Sequence, residues 1–312
     1  MDKLSAMATF ILVAEKGSFT KAAEMLHIPK SRVSQRITDL EDELGLRLMQ
    51  RTTRSLNLTE DGAIYLKKIK HIISDIEEIE NQFKGLTTLS QGNLYIESLT
   101  SIAKWIIAPK ITDFQNKYPQ ISIHLGCSDR VSNILEEGID CAIRGGKMHD
   151  SSLIAKHITD IKLGLYASPA YLAEIPNIVH PKELNHFHWI SWLNRKYQDP
   201  LHWGLESDHE RFEISNTRGL YFSDPEIAID VCMSGRGICP AAPFAVESYV
   251  KAGKLKPVLM NWHFAPKAIH IVYPTKKHLS PKVRHFVDWL IHTLNEHSSL
   301  GLTPKELAQL IV

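Results

Sequence analysis

The chain has 312 residues, of which 44% are hydrophobic and 23% charged, with a formal net charge of +1. This length favours two or three domains, and the near-neutral charge means that any surface for nucleic acid must be local. We expect a cytoplasmic protein without signal peptide or membrane span, because no apolar run reaches the roughly 18–20 residues that cross a bilayer. The four cysteines form no C-x-x-C pair and are typical of reduced thiols.

Three short helices are predicted before residue 46. Apolar residues at helical spacing predict the first helix over residues 3–15. The hydroxyls of Ser18 and Thr20 are placed to start a second helix over residues 21–26. After a short turn, the third helix is predicted over residues 30–44, and a glycine follows it directly. Two short helices joined by a tight turn form a helix-turn-helix.

The third predicted helix separates its charges along its length. Its C-terminal half is acidic, whereas its N-terminal half contains no acid. The side chains of that N-terminal half are cations and hydrogen-bonding groups, namely Lys30, Ser31, Arg32, Ser34, Gln35 and Arg36. A helix that points its N-terminal end into the major groove of DNA needs such side chains, because phosphates and base acceptors lie there. The alternative is an ordinary solvated charged face.

A basic hairpin is predicted after the third helix. Leu46 and Leu48 mark its first strand, and Leu56 and Leu58 mark its second. The tip between them is basic and rich in hydroxyls, and its candidate DNA contacts are Arg51, Thr52 and Arg54. Such a wing can lie along phosphates or enter a minor groove.

A long helix is predicted from Thr59 through Leu86. Seven apolar residues recur in it at alternating steps of four and three: Tyr65, Ile69, Ile72, Ile76, Ile79, Phe83 and Leu86. This is a heptad seam, and it is the helix's only apolar stripe. The seam must be buried either on its own domain or against a second copy of the chain. We expect a homodimer through residues 65–86, followed by a polar hinge.

Strands and helices alternate from Gly92 onwards. The predicted strands are Leu94–Ser98, Ile121–Leu125, Cys141–Arg144, Leu163–Ala167, Trp189–Trp192, Gly237–Pro240 and Ala268–Tyr273. The predicted helices include Ile102–Lys117, Val131–Glu137, Asp224–Ser234 and Pro281–Asn295. This alternation favours an open α/β sheet divided into two subdomains. Ligands of such folds collect beyond the carboxyl ends of the strands.

Small polar residues follow several of these strands. Thr100 and Ser101 come after the first, Ser128 after the second, and Gly146 after the third. Hydroxyls at a helix N-terminus suit a carboxylate or another anionic group, so a small-molecule cleft between the subdomains is one hypothesis. Ordinary helix capping by the same hydroxyls is the alternative.

Several short motifs occur together in this chain. Those of the first sixty residues are Ala22-Ala23, Val33–Ile37, Leu40-Glu41, Leu44-Gly45, Arg47-Leu48, Arg51–Arg54 and Leu58–Gly62. Further motifs are Gly92–Ile96, Tyr118-Pro119, Gly138–Arg144, Ala167–Leu172, Gly235–Ile238 and Lys254-Leu255. Together they resemble the LysR-type family of transcriptional regulators, from residue 3 to about residue 293.

The resemblance implies an α plus α/β architecture. A winged helix-turn-helix and a pairing linker helix would precede a two-subdomain effector domain like that of periplasmic binding proteins. The implied segments are a DNA-binding domain at 1–59, linker and hinge at 60–91, effector domain at 92–296 and tail helix at 297–312. Within the effector domain, subdomain I would comprise 92–163 and 269–296, and subdomain II 164–268.

The resemblance also assigns residues and partners. Base contacts are implied for Lys30, Ser31, Ser34 and Gln35, wing contacts for Arg51 and Arg54, and phosphate contacts for Thr20 and Arg32. Effector contacts are implied for Thr100, Ser101, Ser128, Gly146, Trp192 and Asn194. The implied partners are palindromic double-stranded DNA, a small-molecule effector, and further copies of the chain in a dimer and then a tetramer. No cofactor or metal is implied.

Two features depart from the family pattern. Pro29 stands where many members have a serine or threonine cap, and its side chain cannot act as a cap. In the tail, Thr303 and Glu306 have capping-box spacing, which predicts an added amphipathic helix of unassigned purpose.

Other classes of protein fit the sequence less well. An enzyme is not expected, because the chain lacks G-x-S-x-G, P-loop, H-E-x-x-H and C-x-x-C motifs. The histidines at 180, 186, 188, 202 and 209 lack metal-ligand spacing and favour a surface role. Cys127 has no neighbouring group arranged to form a thiolate. A stand-alone solute-binding protein would leave the basic helix and wing unexplained.

Overall fold

The computed structural model describes residues 2–51, 56–83, 91–129, 134–146, 153–192, 203–214, 219–274 and 279–311. The chain divides between Asn93 and Leu94 into two compact units, with Asn133–Ile139 belonging to the first. None of the helices within these ranges combines the length and the apolar character that crossing a bilayer requires. The predicted contacts Thr52, Arg54 and Asn194 lie outside the described residues.

The first unit contains three short helices, a hairpin and a long helix. These elements are α1 Lys3–Lys16, α2 Phe19–Leu26, α3 Lys30–Leu44, β1 Met49–Arg51, β2 Leu56–Leu58 and α4 Glu60–Phe83. The helix-turn-helix prediction is confirmed, with α3 at its predicted bounds. Helix α2 begins two residues before its predicted start, because the Ser18 hydroxyl accepts a hydrogen bond from the Lys21 N–H at 3.3 Å. Thr20 therefore lies inside α2 instead of capping it.

Helices α1 to α3 enclose a small core. Phe10, Val33, Ile37 and Leu40 are fully buried in it. Ala22 is also fully buried, and its small side chain lets α2 approach its neighbours closely. The antiparallel hairpin β1–β2 pairs Met49 with Leu58. The apolar faces of α1, α2 and α3 thus hold the exposed face of α3 in a fixed orientation.

A buried carboxylate fixes the start of the hairpin. Glu41 is 3% exposed, and its carboxylate accepts hydrogen bonds from the backbone N–H groups of Leu48 at 2.8 Å and Met49 at 3.1 Å. The Arg47 guanidinium donates to the same carboxylate at 2.8 Å. The predicted first strand at Leu46 is wrong, since β1 begins at Met49. Glu41 holds the backbone before β1 in a turn. Leu46 lies in this turn and is about half exposed.

Glu41 links the stability of the first unit to pH. Burial raises the pKa of the Glu41 carboxyl. The hydrogen bonds from Arg47, Met49 and Leu48 together lower this pKa by more than burial raises it, so the folded pKa lies below the ordinary value of 4.5. A group with a depressed folded pKa stabilises the fold above its unfolded pKa. That stabilisation is lost as the pH falls through the folded pKa.

Replacing Glu41 by Gln is expected to lower the free energy of unfolding of the first unit by about 2–3 kcal/mol near pH 7. The loss should shrink as the pH falls below the ordinary value of 4.5 and through the lower folded pKa, because the wild-type carboxyl then becomes protonated as well. Amide hydrogen exchange of α1 to α3 would measure it. The control is Glu43→Gln, since Glu43 pairs with exposed Lys3 at the surface. Equal losses in both variants, or a pH-independent loss, would contradict this role.

Helix α4 begins against the hairpin. The Thr59 hydroxyl accepts from the Gly62 N–H at 2.9 Å and donates to the Arg47 carbonyl at 2.6 Å. A Cβ on Gly62 would lie 1.9 Å from the Leu48 carbonyl oxygen, so only glycine permits this approach.

The heptad seam of α4 divides into two parts. Ile69 is 1% exposed and belongs to the core of the first unit, against which Tyr65 also packs. Ile72 is 48% exposed. The first two seam positions are therefore buried on their own unit, and the exposed part of the stripe starts at Ile72. The predictions for Ile79, Phe83 and Leu86 lie outside the described side chains.

The remaining elements form the α/β part of the chain. The helices are α5 Thr100–Ile102, a π-helical stretch Ala103–Ile107, α6 Ala108–Lys117, α7 Ile134–Glu137, α8 Pro169–Glu174, a 3-10 turn Pro181–His186, α9 Pro225–Met233, α10 Pro243–Lys251, α11 Pro281–Asn295 and α12 Pro304–Ile311. The strands are β3 Gly92–Ser98, β4 Ile121–Cys127, β5 Cys141–Gly145, β6 Ile154–Ile161, β7 Gly164–Ala167, β8 Trp189–Trp192, β9 Trp203–Glu206, β10 Arg211–Ile214, β11 Gly219–Phe222, β12 Ile238–Ala241, β13 Lys256–Val258, β14 His263–Phe264 and β15 Lys267–Tyr273.

Two five-stranded sheets organise the second unit. Their strand orders are β4-β3-β5-β15-β6 and β11-β8-β12-β7-β13, and a small sheet β10-β9-β14 accompanies them. The chain passes from the first large sheet to the second after β6 and returns with β15, which runs antiparallel to β5 and β6. All seven predicted strands are present, and the expected two-sheet α/β architecture is confirmed. Strands β6, β9, β10, β11, β13 and β14 were not predicted.

The tail forms the predicted capped helix. The Thr303 N–H and hydroxyl donate to the Glu306 carboxylate at 2.7 and 2.8 Å, and the Glu306 N–H donates back to the Thr303 hydroxyl at 3.2 Å. Leu307 is 1% exposed where α12 packs on α10 and β13. A Cβ atom on Gly164 would lie only 2.1 Å from Cγ of Pro304, so the proline ring fills the space beside this glycine. The tail is therefore part of the core of the second unit.

Leu307→Ala is expected to lower the free energy of unfolding of the second unit by about 2–5 kcal/mol, the usual cost of truncating a buried leucine. Leu310→Ala, on the exposed side of the same helix at 61% exposure, should change it by less than about 0.5 kcal/mol. All six tryptophans lie in the second unit, so tryptophan fluorescence during urea unfolding reports on this unit alone. Equal effects in the two variants would show that the tail is not packed as described.

Candidate DNA-binding surface and effector cleft

The N-terminal half of α3 presents an exposed polar surface. Lys30, Ser31, Arg32 and Gln35 are exposed, and Ser34 is half-buried. Pro29 precedes the helix without a side-chain cap. The described part of this surface combines two cations with hydroxyl and amide groups, which can meet phosphates and base edges.

Two predicted contacts on α3 have partners within the unit. The Gln35 amide donates to the Asp39 carboxylate at 2.7 Å, which orients the amide along the helix. The Arg36 guanidinium donates to the buried Thr9 hydroxyl at 3.2 Å. Arg36 thus holds α3 to α1, while Gln35 remains exposed. Thr20 is exposed on α2.

A cavity lies between the two large sheets of the second unit. Its empty volume is about 590 Å³, which includes space open to solvent. The lining residues are Leu99, Ser101, Ile102, Asp129, Ile161, Leu163, Trp192, Pro225, Ile229, Pro240, Ala241, Ala242, Phe244, Ala245, Lys267 and Ile269. Two residues of the predicted effector set, Ser101 and Trp192, are among them.

Glu226 joins the two sides of this cavity. It is 7% exposed, at the start of α9, which packs on β8, β11 and β12 of the second sheet. Its carboxylate accepts hydrogen bonds from Ser101 Oγ at 2.5 Å, Lys104 Nζ at 2.9 Å and Trp105 Nε1 at 2.9 Å. Those donors follow β3 of the first sheet, so Glu226 is a direct polar link between the two halves of the cleft.

A second carboxylate, that of Asp129, lies in the lining of the cavity. Burial raises the pKa of Asp129, and the hydrogen bond from Thr100 and the charge of Lys267 oppose that rise. Burial lowers the pKa of Lys267, and the charge of Asp129 opposes that change. Asp129 and Lys267 thus place one carboxylate and one ammonium group in the lining of the cavity.

Three other described residues of the predicted effector set, Thr100, Ser128 and Gly146, do not line this cavity. The Ser128 N–H donates to the Ser98 carbonyl at 3.0 Å, and the Gly146 N–H donates to the Ala268 carbonyl at 2.8 Å. Gly146 has a φ of +94° and lies beside the side chain of Lys267. The sequence hypothesis did not include Glu226, Asp129 or Lys267. The one feature of the sequence that could have pointed to these three residues is their position just before or after predicted strands and helices.

The alternatives raised by the sequence find no support in the described residues. Within them, no three histidine, cysteine, aspartate or glutamate side chains are grouped to hold a metal ion. His180 instead pairs with Glu210 at 3.2 Å. Burial and the charges of Asp129 and Asp224 raise the pKa of the exposed Cys127 thiol, which disfavours the thiolate.

Comparisons with known proteins agree with this division of the chain. Residues 4–63 match the family model of the bacterial regulatory helix-turn-helix proteins of the lysR family, and residues 87–295 match that of the LysR substrate binding domain. The chain belongs to the LysR family. Members of this family are transcriptional regulators with a DNA-binding helix-turn-helix domain and an effector-binding domain, and they are not enzymes.

Similar LysR-family proteins match over nearly the whole chain. An HTH-type transcriptional repressor of Pseudomonas aeruginosa is 50% identical over 308 residues, covering 99% of this chain and 97% of the relative. CrgA of Neisseria meningitidis is 31% identical, covering 93% of this chain and 97% of its own length. The full-length structure of the Vibrio cholerae virulence activator AphB is 30% identical with a TM-score of 0.60, covering 93% and 98%.

Glu226→Ala is expected to lower the free energy of unfolding of the second unit by about 3 kcal/mol, because the donors around it would lose a buried charged acceptor. Tryptophan fluorescence during urea unfolding would measure the change. The matched control is Glu296→Ala, whose partner Lys110 is exposed and 3.8 Å away, and it should have almost no effect. A loss no larger than that of the control would rule out the link.

Proposed function

We propose that this LysR-family regulator reads a palindromic DNA site with the exposed N-terminal half of α3. The observation that carries this is the set of exposed polar side chains at Lys30, Ser31, Arg32 and Gln35, held by a buried core. In this proposal Gln35, together with Lys30, Ser31 and Ser34, faces base edges in the major groove.

Phosphate contacts belong to the flanks of the same surface. Thr20 and Arg32 would meet the backbone beside the recognition helix, and the wing would add Arg51, Thr52 and Arg54. These contacts give affinity without sequence information, so they are separable from base reading by experiment. Arg36 is expected to contribute less, because its guanidinium is already bonded to Thr9.

Pairing of two chains would place two recognition helices on one palindrome. We assign this pairing to residues 65–86, with Ile72 as the first exposed seam position, because Tyr65 and Ile69 pack on their own unit. A tetramer of two such dimers is what the family resemblance implies. The effector would bind in the cleft beside Glu226 and change the relative arrangement of the two sheets.

Repression is the proposed direction of regulation. The relative from Pseudomonas aeruginosa that is 50% identical over nearly the whole chain is named a transcriptional repressor. A reporter placed behind the chain's own binding site should therefore fall in expression when the protein is present. A rise in expression would assign activation instead.

The direct test is selection of duplexes from a random pool by the purified protein, with sequencing of the enriched pool. An enriched palindrome with two half-sites about one helical turn or more apart is expected. Enrichment of a site that lacks two-fold symmetry would refute the proposal that two paired chains bind one palindrome. No enrichment over input would refute sequence-specific binding by the chain as purified.

The roles of α3 residues are tested on the selected site. Gln35→Ala should reduce discrimination against a mutated base pair by about 10–100-fold, because a bidentate base contact is lost. Arg32→Ala should weaken all duplexes alike and lower the slope of log affinity against log salt by about one. Lys110→Ala, in the second unit, is the control and should leave both quantities unchanged. A uniform loss on every duplex from Gln35→Ala would remove its base-reading role.

A further inference from the structure

The side-chain amide of Gln35 is anchored within its own helix. Its Nε2 donates a hydrogen bond to the Asp39 carboxylate at 2.7 Å, four residues further along α3. An ionised carboxylate only accepts hydrogen bonds, so the nitrogen of the amide faces it and the oxygen does not. If the amide turned over, its oxygen would face a carboxylate oxygen and the bond would be lost. Asp39 therefore selects one of the two orientations of the Gln35 amide.

The backbone beneath this pair is held by the core of the first unit. Val33, Ile37 and Leu40 are fully buried, and they fix the rotation of α3 about its axis. Gln35 is exposed and Asp39 is half-buried. Residues four apart on a helix are neighbours on one face, so the carboxylate reaches the amide without any change in the backbone. The orientation of the amide is thus set within the helix itself.

The anchored amide can offer only a limited set of groups to a base. The bond to Asp39 uses one of its two N–H groups, which leaves one acceptor, the oxygen, and one donor, the second N–H. In the major groove, adenine presents a donor at N6 beside an acceptor at N7, whereas guanine presents two acceptors, N7 and O6. Adenine therefore matches the anchored amide. To give two donors to guanine, the amide would have to break its bond to Asp39.

We propose that Asp39 is a positioning residue that determines specificity: it acts through Gln35 and makes this position of α3 prefer adenine to guanine. The inference rests on the proposed base-reading role of Gln35, and Asp39 itself touches no base. It also gives a reason for the charge separation along α3. Asp39 is the first acid after the polar N-terminal half of the helix, and it is the acid that orients the amide of that half.

The test begins with the base pair that Gln35 reads. On the selected DNA site, this is the position at which Gln35→Ala loses discrimination. The affinity of the full-length protein is then measured on four duplexes that differ only in that base pair. The wild type is expected to bind the duplex with adenine at least about tenfold more tightly than the duplex with guanine. Tightest binding to any duplex other than the adenine one would overturn the inference.

Two matched variants separate orientation from charge. Asp39→Asn and Asp42→Asn each replace a carboxylate of α3 by the isosteric amide and remove one negative charge. An asparagine amide can donate as well as accept, so at the first position it permits both orientations of Gln35. Asp39→Asn should lower the preference for adenine over guanine by about fivefold or more, and Asp42→Asn should leave it within about twofold. Equal effects of the two variants, or an unchanged preference in Asp39→Asn, would overturn the inference.

A double variant shows whether Asp39 acts through Gln35. In the Gln35→Ala background, Asp39→Asn should change the base preference by less than about 1.5-fold, because no amide remains to be oriented. A change as large as in the wild-type background would mean that Asp39 acts without Gln35, and it would overturn the inference. Circular dichroism confirms that each variant is folded.

The outcomes for the two residues are distinguishable. If Gln35→Ala loses discrimination at no base pair, the base-reading role of Gln35 fails and the inference fails with it. If Gln35→Ala removes the adenine preference and Asp39→Asn leaves it intact, only the role of Asp39 fails, and Gln35 still reads the base.

Discussion

The carboxylate of Glu226 ties together parts of the second unit that lie far apart in the sequence. It stands at the start of α9, and its three donors come from a segment more than 120 residues earlier in the chain. A buried carboxylate is stable only when donors surround it, so the geometry of α5 and the following π-helical turn is fixed by this group. The shape of the cleft beside it follows from that constraint.

Glu41 has a structural role in the first unit that is similar to the role of Glu226 in the second. Each is a nearly fully buried acid that accepts hydrogen bonds from three donors. Glu41 sets where the hairpin leaves α3, and so it positions the wing relative to the recognition helix. Both units therefore place their functional surface beside a saturated carboxylate, which cannot relax without losing several hydrogen bonds at once.

The sequence allowed prediction wherever structure depends on local pattern. Helix α3 was predicted at both ends because its apolar spacing and Gly45 act within a few residues, and the central strands were recognisable as short apolar runs. Strand β6 was missed, because its KHITD segment contains few apolar residues and faces solvent at a sheet edge. The cleft hydroxyls could be singled out from their positions. Their donor roles could not, because Glu226 lies 125 residues from Ser101.

The tail helix adds a third connection between the two large sheets, beside the segments that leave β6 and enter β15. It starts from α11, which packs on β6 of the first sheet, and it ends against α10, β13 and Gly164 at the second. Two crossing segments alone could act as a hinge with one free axis. A third anchored segment removes that freedom, so a wide opening of the cleft would first have to detach α12. Rearrangement with the tail in place is confined to small sliding displacements, and a ligand must enter through local side-chain motion at the mouth of the cleft.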